Sequence, residues 1–234
     1  MSDAILRLVG VRKDYRGLRP LRLKALDVAP GERVALSGFD AAAAEVLVNL
    51  VTGASVPDEG RVEVEGRPTD AISDGDEWLA SLDRFGIVSP RGVLLDSATL
   101  LQNLAMPLTL QIDPIPPDFE AQARALAADV GLDPASLDRP IAALDAAARA
   151  RAHLARAIAL GPSLLILEHP TVGFTPGQAA PFGETVARVA SAKRIAALII
   201  SEDQDFSTAA AERRLALHAA TGELRPPRRR IFGF

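Results

Sequence analysis

With 234 residues, 48% of them hydrophobic, the chain is long enough to bury a core as one domain with a sub-lobe. A net charge of −4 argues against a general nucleic-acid binder, which would be basic, and the lack of cysteine excludes disulfides and thiolate metal sites. Met1 to Arg7 carry no hydrophobic signal region and no uninterrupted apolar run reaches membrane-spanning length, so membrane association is expected only through a partner.

In chain order, Glu32-Arg33-Val34-Ala35-Leu36 reads as a strand and Val46 to Val51 as an apolar helix. Between them lies Ser37-Gly38-Phe39-Asp40-Ala41-Ala42-Ala43-Ala44-Glu45. A strand-to-helix junction of this kind is where a phosphate-binding loop belongs, with glycines freeing backbone N–H groups and a lysine reaching the phosphates. Here alanines stand at the inner glycine positions, Ala44 at the lysine position, and Glu45 where a hydroxyl would hold magnesium. Val62 to Val64 follows the turn Pro57-Asp58-Glu59-Gly60 as a second strand. The middle, from about Arg91 to Leu144, reads as mostly helical, with Pro114 to Pro117 opening a helix near Asp118. That helix carries Phe119, Ala123, Leu126 and Ala127 at helical spacing. Leu164 to Leu167 and Ile195 to Ile200 are further strands, so strands alternate with helices and predict an α/β core with a largely parallel sheet. Proline and charge disfavour regular structure in the last stretch, Arg225 to Phe234.

Order and spacing together resemble a nucleotide-binding subunit of the ABC-transporter family, over nearly the whole chain. Gly38 through Gly53 keeps the length of that family's GxxGxGKST loop and following helix, and Pro57 to Gly66 resembles its turn and hairpin strand. Arg151 to Leu160 matches the helix after the LSGGQ signature, and Leu164-Leu165-Ile166-Leu167-Glu168-His169-Pro170-Thr171 matches the Walker B strand, usually LLLLDEPT. The resemblance implies an ABC-ATPase-like α/β fold: a P-loop, RecA-like core with an antiparallel β-subdomain and a helical lobe. Core and β-subdomain would occupy 1–90 and 145–221, the permease-docking lobe 91–144, and a basic tail 222–234.

Carried over residue by residue, the resemblance implies an eroded nucleotide site. Tyr15 matches the aromatic that stacks on adenine; a tyrosine merely packed in the first β-meander is an equal reading. Gly38, Ala41 and Ala43 are doubtful as phosphate binders, since an added Cβ disfavours the φ > 0 conformations that glycine supplies. Glu45 reads as part of an ordinary helix N-terminus, with a carboxylate that can act as an internal substitute for phosphate. Pro90 matches the glutamine that senses metal and permease, Glu168 the Walker B aspartate, His169 the general-base glutamate and Glu202 the switch histidine. A neutral His169 imidazole can still accept a proton, so that change alone leaves slow hydrolysis open. Leu144-Asp145-Ala146-Ala147-Ala148 stands where LSGGQ is expected, with Asp145 as an N-cap. Val172-Gly173-Phe174-Thr175 lacks the aspartate of the D-loop. His153, His169 and His218 show no metal-ligand spacing, so no metal site is expected. Losing one well-placed electrostatic group costs roughly 3–4 kcal/mol of transition-state stabilisation, and several are changed here.

The expectation is a catalytically inactive ABC-type subunit of a membrane transport complex, with no cofactor because ATP and magnesium bind weakly or not at all. Its partners would be a membrane permease subunit and either a catalytically active ABC ATPase paralogue or a second copy of itself. Nucleic acid and direct membrane insertion are not expected, and the place is the cytoplasmic face of the inner membrane. Two alternatives stay open: an architectural or regulatory protein of a membrane complex without a transport motor, and a divergent but active transporter ATPase. Arg228 to Arg230 read as a solvated tail, with contact to anionic headgroups or phosphates as the other reading.

Overall fold

The computed structural model describes residues 4–72 and 74–227. Strands β1 (Leu6–Lys13) and β2 (Leu21–Val28) bury Leu6, Leu8, Leu21 and Leu23 on one face and turn charged residues outward, the period-two pattern of a half-buried antiparallel sheet. With β4 (Glu59–Val64) and β5 (Arg67–Pro68) they form a sheet of order β2-β1-β4-β5. A larger sheet has the order β10-β9-β3-β8-β7-β6, from β3 (Arg33–Ser37), β6 (Phe85–Val88), β7 (Leu164–Glu168), β8 (Ala196–Ile200), β9 (Arg213–His218) and β10 (Glu223–Arg225). All its neighbours run parallel except β10, which pairs antiparallel with β9.

β7 and β8 are buried at every position, as expected of parallel strands covered on both faces. Val34, Leu36, Leu164, Ile166, Leu198 and Ile200 pack towards α1 (Ala41–Val51) and the smaller sheet. Ala35, Leu165, Leu167, Ala197 and Ile199 face the opposite layer, built from α5 (Ala146–Ile158), α6 (Ala179–Lys193) and α7 (Gln204–Ala210). α2 (Gly75–Ser81) lies at the edge, where Trp78 donates its indole N–H to the Thr52 carbonyl at 3.0 Å. The α/β core read from the alternation of strands and helices is therefore present.

Three local expectations are corrected. α1 begins at Ala41, five residues before the expected Val46, because four consecutive alanines are strong helix formers and the Asp40 side chain accepts from the Ala43 N–H at 2.8 Å. The stretch 91–144 is not mostly helical: α3 (Leu100–Ala105), α4 (Pro117–Asp129) and two short 3₁₀ turns cover less than half of it. Its non-helical entry is held by Asn103, fully buried, which accepts from the Leu95 N–H at 2.8 Å and donates to the Leu95 carbonyl at 3.1 Å. Finally, the stretch expected as a tail from 222 onward is not all tail. Glu223–Arg225 forms β10, tied to β2 by the Lys24–Glu223 ion pair at 2.6 Å and by the Lys24 N–H on the Gly222 carbonyl. Arg228 to Arg230 and the four residues after them lie outside the described residues.

Candidate functional site

The carboxyl ends of β3, β8, β7 and β6 lie side by side in the parallel sheet, the edge at which ligand sites of such sheets form. The turns leaving them carry Gly38 to Asp40, Glu202, His169 and Pro90 respectively, so the strand order brings these separated positions to one edge. Gly38 has φ +86°, and a Cβ there would come 2.9 Å from the Leu217 carbonyl oxygen, so both conformation and space require glycine. The N–H groups of Gly38 and Phe39 point at one acceptor. It is Oε1 of Glu202, at 2.6 and 3.1 Å. Successive N–H groups ahead of a helix form a concave donor site that favours an anion, and here a carboxylate of the same chain occupies it.

This placement corrects the role expected of Glu45. Because α1 starts at Ala41, Glu45 sits in the second turn and not at the helix N-terminus. Asp40 caps the helix, Glu202 fills the donor site, and the Glu45 carboxylate turns to Arg91, whose Nη1 lies 2.7 Å away. Ala41 is exposed, whereas Ala43 and Ala44 are buried against the core and serve packing.

Arg91 is the site residue that the sequence reading missed. Ser89 to Gly92 forms a turn closed by the Gly92 N–H on the Ser89 carbonyl at 2.9 Å, with Pro90 at the second position, where its fixed φ favours the turn. The turn throws Arg91 back across the strand ends, where its Nη2 meets Glu168 Oε2 at 2.7 Å. Ser89 Oγ donates to the same oxygen at 2.8 Å. Glu168 is only 4% exposed, and a carboxylate so buried needs charged and hydrogen-bonded partners. Arginine directly after a proline that closes an apolar strand was the available signal; its partners, 46 and 77 residues away in sequence, were not visible locally.

The remaining positions fall as follows. Tyr15, in the β1–β2 connection, folds its ring over Gly17 and packs at the margin of the core; burial and then the nearby Asp40 charge push its phenol above the ordinary value. His169 has φ +42°, and its Nε2 is buried with no hydrogen-bond partner among the described residues. Pro90 is exposed in its turn. His169 shares a cavity of about 330 Å³ with Ser89, Arg149 and His153, whose imidazole is held below its usual value by burial and by Arg156. Leu144 and Ala146 border the same cavity. Asp145 caps α5, accepting from the Ala148 N–H at 2.7 Å, and its other oxygen accepts from Gln178 Nε2 at 3.3 Å. Leu144, Asp145, Ala147 and Ala148 also line a shallow cavity of about 590 Å³ with Arg139 and Arg151. A groove of about 380 Å³ opens on another side, where β6 meets the entry to the 91–144 stretch, with Ile87, Val93 and Leu160 exposed along it.

Comparison with known proteins agrees with this architecture. Residues 21–172, more than half of the chain, match the family model described as ABC transporter. The chain is 30% identical over 211 residues to the lipoprotein-releasing system ATP-binding protein LolD 2 of Caulobacter vibrioides, covering 88% of this chain and 92% of that one. It is 29% identical over 202 residues to the Fe(3+) ions import ATP-binding protein FbpC of Mesorhizobium japonicum, covering 86% of this chain and 54% of that one. Among solved structures, cbiO1 of Clostridium perfringens superposes with a TM-score of 0.80 at 19% identity, over 96% of this chain and 88% of that chain. The dimeric cassette MJ0796 does so with a TM-score of 0.76 at 21% identity, over 98% of this chain and all of that one. With the parallel sheet, the antiparallel subdomain and the strand-end site in place, these matches show that the chain has the ATP-binding cassette fold and belongs to the ABC transporter family.

Proposed function

We propose that this chain is a non-hydrolysing ABC-type subunit of a membrane transport complex, one that acts by docking rather than by ATP turnover. The observation that carries this reading is the Glu202 carboxylate on the N–H groups of Gly38 and Phe39. A triphosphate would have to displace that carboxylate and then lie beside Asp40, Glu45 and Glu202 with no lysine at position 44 to offset them. The residues present do not fit a magnesium–triphosphate: where a hydroxyl and a carboxylate would share a divalent cation, two carboxylates share a guanidinium instead. The relatives that carry ATP-binding names belong to a lipoprotein-releasing system and an iron import system, which supports a transport complex without identifying its cargo. The groove edged by the exposed side chains of Ile87, Val93 and Leu160 supports docking, since large apolar side chains gathered along a surface groove offer area that a protein partner can cover. The partner in this reading is a permease subunit, with a second cassette, either an active paralogue or another copy of this chain, completing the assembly. No helix among the described residues is long and apolar enough to cross a membrane, consistent with a peripheral place on the cytoplasmic face.

Calorimetric titration of the purified chain with ATP, with and without magnesium, tests the reading. No binding heat and no phosphate release are expected. Magnesium-dependent turnover that disappears in Glu168→Ala would overturn it and return the chain to the active ATPases.

A further inference from the structure

The 91–144 stretch leaves the core through the Ser89–Gly92 turn, and Arg91 is the one residue of that turn whose side chain reaches back to two core elements. One carboxylate comes from α1, at Glu45, and the other from the end of β7, at Glu168. The two contacts differ in character. Glu45 is half-exposed, so on its own its pairing would be screened and weak, while Glu168 is buried and would be left as an uncompensated charge if the guanidinium moved away. The burial of Glu168 therefore holds Arg91 in place, and the planar guanidinium, with separate nitrogens for separate acceptors, carries that hold across to α1. The other side-chain ties of this stretch to the core among the described residues lie elsewhere: Arg156 Nη1 on the Val93 carbonyl at 2.6 Å, Arg149 Nη2 on the Ala142 carbonyl at 3.2 Å, Arg188 Nη2 on the Asp129 carbonyl at 2.7 Å and the Lys193–Asp129 pair at 2.8 Å. They connect the stretch to α5 and α6, and none reaches the strand-end site.

We propose that Arg91 is a strut, a positioning residue that sets the orientation of the 91–144 lobe on the core through Glu45 and Glu168, with the chain's own charges and no bound ligand. The consequence is a lobe whose orientation does not respond to nucleotide. The strut stands whether or not the site takes ATP, so its test is separate from calorimetry.

The chain has no cysteine, which allows clean attachment of spin labels at two introduced cysteines, Asp70→Cys beside the smaller sheet and Ala121→Cys on α4, both exposed. Pulsed EPR would read the distance distribution between them in the otherwise unchanged protein and in Arg91→Ala, Arg91→Lys and Glu45→Gln backgrounds. One narrow distribution is expected for the unchanged protein, identical with and without magnesium-ATP. Arg91→Ala should broaden or shift it by several Å and lower Tm by roughly 6–12 °C, as the stranded Glu168 carboxylate requires. Arg91→Lys, a point charge serving one carboxylate, should broaden it less, and Glu45→Gln should fall between Arg91→Lys and the unchanged protein. If Arg91→Ala fails to fold, the lysine and glutamine variants decide alone. A parental distribution in the folded Arg91 variants, even with lowered Tm, would reduce Arg91 to a plain stabilising ion pair and overturn the proposal. A parental protein whose distribution moves on adding magnesium-ATP would overturn it equally.

Discussion

Glu202 does at the strand-end site what neither Glu45 nor Asp40 does: it presents one carboxylate oxygen to two consecutive backbone N–H groups. Removing it in Glu202→Ala leaves those donors to water and should cost about 1–2 kcal/mol, the lower range for charged hydrogen bonds because Gly38 is exposed. Glu202→Gln retains an acceptor oxygen and should cost less. Urea denaturation of both variants checks the order, and equal stability of all three proteins would remove Glu202 from the account. His153 supplies the pH dependence just below neutral pH. Burial holds its folded value below the ordinary 6.5, so the unfolded chain takes up the proton first. Stability from the neutral imidazole is then fully present above about pH 6.5 and is lost as pH falls through that value towards the folded one. Replacing it in His153→Gln should flatten the fall of Tm in that window, which thermal scans at stepped pH would read directly.

At the scale of elements, four helices among the described residues start under an aspartate, α1 under Asp40, α2 under Asp74, α5 under Asp145 and α7 under Asp203, each accepting from the N–H three residues on. A cap of this kind contributes about 1 kcal/mol, so Asp40→Ala and Asp145→Ala should each lower Tm by roughly 2–4 °C in a chain of this size. Asp145 was legible as a cap in the sequence because it precedes an unbroken Ala/Arg helix. The start of α1 was not: read through the phosphate-loop pattern, Ala41 to Ala44 counted as loop, whereas intrinsic propensity made them the first turn of a helix. That shift moved Glu45 a full turn inward and changed its partner. The lobe was misjudged for a different reason. Its entry is stabilised by the buried side chain of Asn103, which bonds the backbone of Leu95 eight residues earlier and leaves no periodicity to read.

For the whole molecule, the groove beside β6 is where docking is tested. Val93, 69% exposed, and Leu160, 58% exposed, flank it without supporting the core, so Val93→Glu or Leu160→Glu should leave Tm within about 1–2 °C while reducing co-purification of the permease subunit at least several-fold. Unchanged co-purification in both would move the docking surface elsewhere. The two sheets are joined on the far side by β2 and β10, through Lys24, Gly222 and Glu223. That closure explains why regular structure continues to Arg225, past position 222, where the family resemblance put the start of the tail.

By itself the sequence determined the alternation of strands and helices and which residues stand at the positions that the family resemblance marks. A short continuous apolar run such as Leu164–Leu167 reads as a buried strand, and position 44 carries no cation whatever the chain does around it. What the tertiary structure decided is which charges answer those changes. Glu202 reaches Gly38 from 164 residues away, and Arg91 joins Glu45 to Glu168 across three elements. Such pairings depend on the strand order of the parallel sheet, which sets side by side the ends of strands far apart in the chain, and no local pattern of residues records that adjacency.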